Sequence, residues 1–124
     1  MLLTGIDIIE IDRIQETIQR WGTRFLHRIY TADELIYCRD KVERLAARFA
    51  AKEAAMKALG TGIKGVRWKD FEILRLPGQA PTITLHGNAK IIADKLGIQE
   101  FAISISHSRN YAVASVIAWS QDKN

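Results

Sequence analysis

The sequence predicts a single α+β domain in which an antiparallel sheet packs on one long helix. Residues 42–59 carry apolar side chains at helical spacing, and Gly60 ends the pattern. After residue 70 the apolar pattern alternates, as in strands. Apolar residues make up 48% of the 124-residue chain and charged residues 26%, which is a globular composition. One domain over residues 1–124 is expected.

The chain is expected to open with a strand over residues 2–11. This segment is rich in isoleucine, and its period of two places Asp7 and Ile8 on opposite faces. A helix should follow, with Asp12 as its N-cap and Gly22 as its stop.

Short helical segments are expected between that helix and the long one. Residues 25–29 carry apolar side chains at helical spacing, and Thr31 and Glu34 have the spacing of a capping box. In the long helix an apolar stripe is flanked by alanines, and its members are Leu45, Phe49, Met56 and Leu59.

The last third of the chain is predicted to form a hairpin, a helix and two strands. Turn residues separate the hairpin strands, and Asn88 is expected to cap the helix. The predicted segments are strands 71–76 and 82–85, a helix ending at Gly97, and strands 101–106 and 111–119.

The net charge of +4 favours anionic partners. Nucleic-acid binding surfaces usually interleave cations with exposed aromatic rings. Here Trp21, Trp68 and Trp119 are far apart and lie in apolar patterns that predict core positions. We therefore do not expect a nucleic acid as the partner.

Cys38 is the single cysteine, so no disulfide can form within the chain. A lone thiol suits a reducing compartment, and its predicted role is packing. The N-terminal apolar segment has no preceding basic region and contains Asp7 and Glu10, so neither a signal peptide nor a membrane span is expected. The expected location is the cytoplasm.

Three charged residues stand out as candidates for chemistry. Asp7 interrupts an apolar strand, where an ionised carboxylate is costly to bury unless it is paired or binds a metal. Glu53 and Lys57 lie one turn apart on the long helix. Taken alone, Asp7 fits an exposed or ion-paired carboxylate, and Glu53 with Lys57 fits a solvated ion pair. Together, two carboxylates and a cation suit a divalent metal and a phosphate group.

Further polar residues can support phosphate binding. Lys52 falls within the apolar stripe, where its stem reaches water or its ammonium meets an anion, and Arg48 borders the same stripe. His107 ends a predicted strand beside Ser106; this pair suits phosphate donors or a capping role. Thr61 lies between glycines that fit either a helix stop or a close backbone approach to a nucleotide.

Three sequence blocks resemble the holo-acyl-carrier-protein synthases. They are GIDIIEIDRI at 5–14, RFAAKEAAMKALGTG at 48–62 and SISHS at 104–108. The resemblance extends to WKDFEI, GNAKIIADKLG and YAVASVIA, so it covers nearly the whole chain in the family's order. It implies the 4'-phosphopantetheinyl transferase fold. The chain supplies one such unit, which implies the homotrimeric type with active sites between subunits.

The resemblance implies roles for the site residues. Asp7 and Glu53 would be the ligands of magnesium, with manganese as an alternative metal, and Lys57 would lie beside the transferred phosphate. The resemblance also implies a set of coenzyme A contacts: Arg48, Lys52, Gly60, Thr61, Gly62, Ser106 and His107. Of these, His107 and its serines would come from the adjacent subunit. Arg48 and Lys52 would either bind phosphate or support the site. The family receives the acidic acyl carrier protein on a basic surface. The residues that resemble this surface here are Arg13, Arg20, Arg24 and Arg28.

The implied reaction serves fatty acid biosynthesis. A serine hydroxyl of the apo carrier attacks the phosphorus nearest pantetheine and releases adenosine 3',5'-bisphosphate. Glu53, a water on the metal and neutral Lys57 remain alternatives for the proton acceptor. Two competing functions are a noncatalytic basic module that binds an acidic protein or nucleic acid, and an acyl transferase that uses coenzyme A, for which the sequence contains no motif.

Overall fold

Three long strands form the main sheet in the computed structural model, which describes residues 1–121. They are β1 (Leu2–Glu10), β4 (Ile98–His107) and β5 (Tyr111–Ser120). Strand β5 lies in the centre and pairs antiparallel with both neighbours. Strands β2 (Phe71–Leu74) and β3 (Thr82–Leu85) form a separate hairpin. The predicted antiparallel sheet is confirmed, although β2 is two residues shorter than expected.

The helices follow the predicted order. Their bounds are α1 (Ile11–Trp21), α2 (Thr23–Ile29), α3 (Ala32–Cys38), α4 (Val42–Leu59) and α5 (Gly87–Lys95), with a 3-10 turn at Trp68–Asp70. The capping box predicted for α3 forms, because Glu34 Oε1 accepts the Thr31 N–H at 2.9 Å and Thr31 Oγ1 accepts the Glu34 N–H at 3.2 Å. None of the helices in the described part of the chain has the length and hydropathy that a membrane crossing requires.

Two predicted N-caps are wrong. Asp12 lies in the first turn of α1, because the helix starts at Ile11 and the carbonyl of Asn110 accepts the Ile11 N–H at 2.9 Å. Asn88 lies inside α5 and donates from Nδ2 to the Gly65 carbonyl at 3.1 Å. At α1 a tertiary contact takes the place of the local cap, whereas at α5 a tertiary contact engages the Asn88 side chain instead.

Two of the three tryptophans do not belong to the core. Trp21 is 50% exposed at the end of α1, where Arg20 stacks on its ring at 5.2 Å. Trp119 is 42% exposed on the outer face of the main sheet. Trp68 is partly buried and stacks on Phe49 with ring centroids 4.7 Å apart. The core prediction therefore holds only for Trp68.

The core surrounds α4, whose alanines let the sheet and the other helices approach closely. Cys38 is fully buried in this core, and burial raises the pKa of its thiol to about 11. The packing role predicted for the cysteine is confirmed.

The closest approach of β1 to α4 occurs at Gly5. A Cβ added there would lie 1.9 Å from the Ala54 carbonyl oxygen and 2.8 Å from the Ala58 nitrogen. Both atoms belong to the backbone, so a side-chain rotation cannot relieve the overlap. The absent side chain thus lets β1 lie directly on α4 and brings Asp7 to the helix surface.

Replacing Gly5 with Ala is expected to lower the free energy of unfolding by about 1–3 kcal/mol, because β1 must move away from α4. Denaturant unfolding measures this change. Thr84→Ala is the matched control, since Thr84 is exposed on the hairpin and its loss should cost no more than about 0.5 kcal/mol. Equal stability of the Gly5 variant and the wild type would contradict the packing argument.

Candidate active site

The structure brings Asp7, Glu53 and Lys57 together where β1 crosses α4. Lys57 Nζ donates to Asp7 Oδ1 at 3.1 Å and to the Ile6 carbonyl at 2.9 Å. The Glu53 carboxyl group lies close enough to that of Asp7 for the two to hydrogen-bond when Glu53 is protonated. The side chain of Asp7 is 11% exposed and that of Lys57 is 56% exposed, so the ammonium meets solvent while the carboxylate is held below it.

Burial and the neighbouring acid change the protonation of Glu53. Burial acts most strongly, followed by the hydrogen bond with Asp7 and the Asp7 charge, and together they raise the pKa of Glu53 to about 7. Lys57 and Arg13 act in the opposite direction. Two carboxyl groups held this closely repel each other when both are ionised. A bound cation would offset that repulsion.

A cavity of about 440 Å³ opens beside the two carboxyl groups. Arg13 contributes the cationic part of its wall. Thr17, Phe25, Phe49 and Tyr111 also line this cavity, and none of them was predicted from the sequence as a site residue. The helical position of Phe49, one turn before Glu53, was a signal that could have found it.

The donor set fits a hard divalent cation that keeps much of its own solvent shell. Magnesium usually takes one or two protein carboxylates and fills its other positions with water and phosphate. Within residues 1–121, no group of three or more His, Cys, Asp or Glu side chains is placed to hold a metal ion. Asp7 and Glu53 thus provide the carboxylate pair, without a closed cage.

Arg48 and His107 meet in a second, smaller cavity of about 120 Å³. Arg48 is buried over the Tyr37 ring at 4.3 Å, and its Nε has no hydrogen-bond partner among the described residues. Arg44 and Arg75 line the same cavity and were missed in the sequence. Arg44 lies one turn before Arg48, so helical spacing could have found it, whereas Arg75 arrives from the hairpin.

The predicted contact between Lys52 and coenzyme is wrong. The Lys52 side chain is fully buried, and its ammonium donates to Glu34 Oε1 at 2.7 Å. It also donates to the carbonyls of Phe71 at 2.6 Å and Trp68 at 3.1 Å. An ammonium has three donors, and these contacts occupy them. The alternative role, support of the site from within the core, fits the structure.

Ser106 and His107 lie on opposite faces of β4, and the predicted coenzyme contact of Ser106 stays a prediction. Successive residues of a strand point to opposite faces, so Ile105 and His107 face the small cavity and Ser106 is exposed on the outer face. Gly60 and Gly62 adopt positive φ values of 75° and 55°. Thr61 lies between them and donates its hydroxyl to the Gly62 carbonyl at 2.8 Å. The coenzyme contacts of this loop stay a prediction.

The predicted partner arginines lie on the exposed side of α1 and α2. Arg13 lines the cavity beside Asp7. Arg24 and Arg28 line a neighbouring cavity of about 340 Å³ together with Trp21. Arg20 stacks on the same tryptophan. Among residues 1–121, none of these arginines forms an ion pair within the chain, so their charges are available to a partner.

Comparisons with known proteins agree with this arrangement. Residues 4–116 match the sequence profile of the 4'-phosphopantetheinyl transferase superfamily. A holo-acyl-carrier-protein synthase of Koribacter versatilis is 58% identical over 121 residues, which cover 94% of this chain and 97% of the relative. The enzyme of the same name from Solibacter usitatus is 52% identical, with 92% and 94% covered.

Solved structures show the same similarity. The Helicobacter pylori holo-acyl-carrier-protein synthase, crystallised with coenzyme A, superposes with a TM-score of 0.86 at 39% identity and covers 94% of this chain and 100% of its own. The Neisseria meningitidis synthase gives a TM-score of 0.88 at 32% identity, with coverage of 95% and 98%. These similarities support an enzyme over a noncatalytic basic module. The chain belongs to the 4'-phosphopantetheinyl transferase superfamily.

Proposed function

We propose that this chain transfers 4'-phosphopantetheine from coenzyme A to a serine of an apo acyl carrier protein and serves fatty acid biosynthesis in the cytoplasm. Residues 1–124 would act as one transferase domain. The observation that carries the proposal is the placement of the Asp7 and Glu53 carboxyl groups beside Lys57, in the wall of an open cavity. The pair can hold a metal, and the cation can meet phosphate.

In the proposed reaction the serine hydroxyl gives up its proton to a base as its oxygen bonds to the phosphorus nearest pantetheine; Glu53 and neutral Lys57 are the candidates for that base on this chain. The bond from that phosphorus to the departing oxygen breaks, and adenosine 3',5'-bisphosphate leaves with the electron pair. Lys57 uses two N–H groups on Asp7 and Ile6, and its half-exposed ammonium keeps a third N–H that can bind an incoming phosphate. Positioning and charge neutralisation supply most of the rate in phosphoryl transfer.

Asp7 and Glu53 would hold magnesium. When bound, the ion would supply positive charge that stabilises the phosphate oxygens in the transition state. Asp7 and Lys57 orient each other through their hydrogen bond, which fixes the cation on one side of the carboxylate pair. The raised pKa of Glu53 means that the free protein carries a proton there near neutrality, and metal binding would displace it.

The small cavity of Arg48 and His107 suits a phosphate group of the coenzyme. Arg48 keeps an unpartnered, buried Nε, and Arg44 and Arg75 add positive charge to the same cavity. A group with negative charge placed there would satisfy a donor that the described residues leave unpaired.

A mass measurement tests the proposed function. The purified protein is incubated with coenzyme A, magnesium and the apo acyl carrier protein of Koribacter versatilis, and the intact carrier is weighed. Gain of one phosphopantetheine mass on the carrier serine, with stoichiometric release of adenosine 3',5'-bisphosphate, supports the proposal. A carrier of unchanged mass in the presence of both substrates would contradict it.

We also propose that the working unit is a homotrimer, in which His107 of one subunit faces the Asp7–Glu53 pair of the next. One face of the main sheet packs on α4, and the other is apolar and open. Leu2, Ile6 and Ile8 on β1 are each more than 60% exposed, and Ile117 on β5 continues this face. An apolar sheet face of this kind favours burial against other subunits.

Mixed oligomers test the shared site. Chains carrying Glu53→Ala and chains carrying His107→Ala, each with its own affinity tag, are coexpressed, and mixed oligomers are isolated through both tags. These oligomers should be more active than either parent, because some interfaces combine an intact Glu53 with an intact His107. If His107→Ala alone is impaired and the isolated mixed oligomers stay no better than the parents, the site lies within one chain.

A further inference from the structure

A fourth cavity lies between α2 and the turn that precedes β2, and the proposed reaction does not use it. We propose that it extends the carrier-docking surface, and that Arg67 and Lys69 bind a second acidic segment of the same acyl carrier protein. This inference rests on the proposed function, because it takes the acyl carrier protein as the partner.

The cavity has a volume of about 380 Å³ and combines a cationic rim with an apolar floor. His27 and Arg28 come from α2, and Arg67 and Lys69 come from the opposite wall. Part of the floor is the ring of Trp68, which is held in place by stacking on Phe49. The wall that faces α2 is therefore fixed by the core of the protein.

This cavity is continuous with the proposed docking surface. Arg28 lines both it and the cavity between α1 and α2. The cavity between α1 and α2 in turn shares Thr17 and Phe25 with the cavity beside Asp7 and Glu53. A carrier that seats on α1 and α2 with its serine near Glu53 thus lies next to Arg67 and Lys69.

The charges of this rim are not neutralised within the described chain. Among residues 1–121, the ion pairs do not include Arg28, Arg67 or Lys69. Asp70 follows them in sequence, but it is buried and accepts the backbone N–H of Arg67 at 3.1 Å. Three cations facing solvent without a partner favour an anionic ligand.

The surroundings favour an acidic protein over a nucleic acid or the coenzyme. The Trp68 ring is engaged by Phe49, which leaves it poorly suited to stack on a base. Ile63 is 49% exposed in the same cavity and offers an apolar contact beside the charges. A protein segment with acidic and apolar side chains matches both features.

Charge reversal separates these partners. Arg67→Glu and Lys69→Glu are compared with Lys41→Glu, which makes the same charge change at an exposed position before α4. The probe is the apo acyl carrier protein of Koribacter versatilis. We expect each variant at the cavity to raise KM for the carrier about threefold to tenfold and to leave kcat and KM for coenzyme A within about twofold. Arg24→Glu is the positive control, and Lys41→Glu should leave all constants near wild type.

Several results would overturn the inference. An unchanged KM for the carrier in both variants places the carrier elsewhere, and a raised KM for coenzyme A assigns the cavity to the coenzyme. If Lys41→Glu raises KM for the carrier as much as the cavity variants do, the change reflects the net charge of the protein and not this cavity. If the wild type transfers nothing, the proposed function fails by itself. In that case the affinity of the apo carrier for wild type and for Lys69→Glu is measured directly. If both proteins bind the carrier equally well, or if neither binds it, the proposed docking surface is wrong.

Discussion

Replacing Glu53 with Gln is expected to lower the rate of phosphopantetheine transfer about a hundredfold to a thousandfold, the cost of losing a group that stabilises transition-state charge. The amide keeps the volume and hydrogen-bonding ability of the side chain but cannot supply a second carboxylate beside Asp7. The rate is measured with saturating coenzyme A and carrier. Asp94→Asn, the same acid-to-amide change at an exposed position of α5, should retain the wild-type rate. A Glu53 variant within about threefold of wild type would remove Glu53 from the site.

The same variant has an effect on stability that does not depend on activity. The pKa of Glu53 is raised to about 7 in the folded chain, so its stabilising contribution is complete below the unfolded value of 4.5 and is lost as the pH rises through 7. In the presence of a chelator, wild type should therefore lose stability relative to Glu53→Gln over this range. Added magnesium should raise the Tm of wild type at neutral pH and leave that of Glu53→Gln unchanged.

Helix α4 could be predicted from the sequence because the information lies within it. Its apolar spacing and the αL conformation of Gly60 determine where it runs and ends. The meeting of Asp7 with Glu53 involves residues far apart in sequence and depends on Gly5, which allows β1 to touch the helix. The chemistry of the residue types suggested the pair and the family resemblance gave it a role, whereas local periodicity could not show that the two residues meet.

The errors in the sequence analysis have a common physical cause. Periodicity tells which residues share a face, but it does not tell what covers that face. Trp119 is on an apolar face of β5 that no other part of the described chain covers. Lys52 was correctly placed within the apolar stripe, yet its anion turned out to be Glu34 of α3 and not a ligand. Arg75 reaches its cavity only through the packing of the hairpin.

The buried pair of Lys52 and Glu34 joins three parts of the fold. Glu34 Oε1 accepts the Lys52 ammonium and the Thr31 N–H, and Oε2 accepts the Ile73 N–H of β2 at 3.0 Å. Both side chains are fully buried. The pair therefore fixes α3 and the hairpin to the helix that carries Glu53.

Replacing Lys52 with Met is expected to lower the free energy of unfolding by about 3–5 kcal/mol, because the Glu34 carboxylate is left buried without its cation. Denaturant unfolding of Lys52→Met, Glu34→Gln and the double variant measures the coupling. The double variant should lose less than the sum of the single losses, since it buries no unpaired charge. At a temperature where Lys52→Met stays folded, its KM for coenzyme A should remain within about twofold of wild type, because a residue with no access to solvent cannot contact the coenzyme. Additive losses, or a large rise in that KM with the fold intact, would return Lys52 to the coenzyme site.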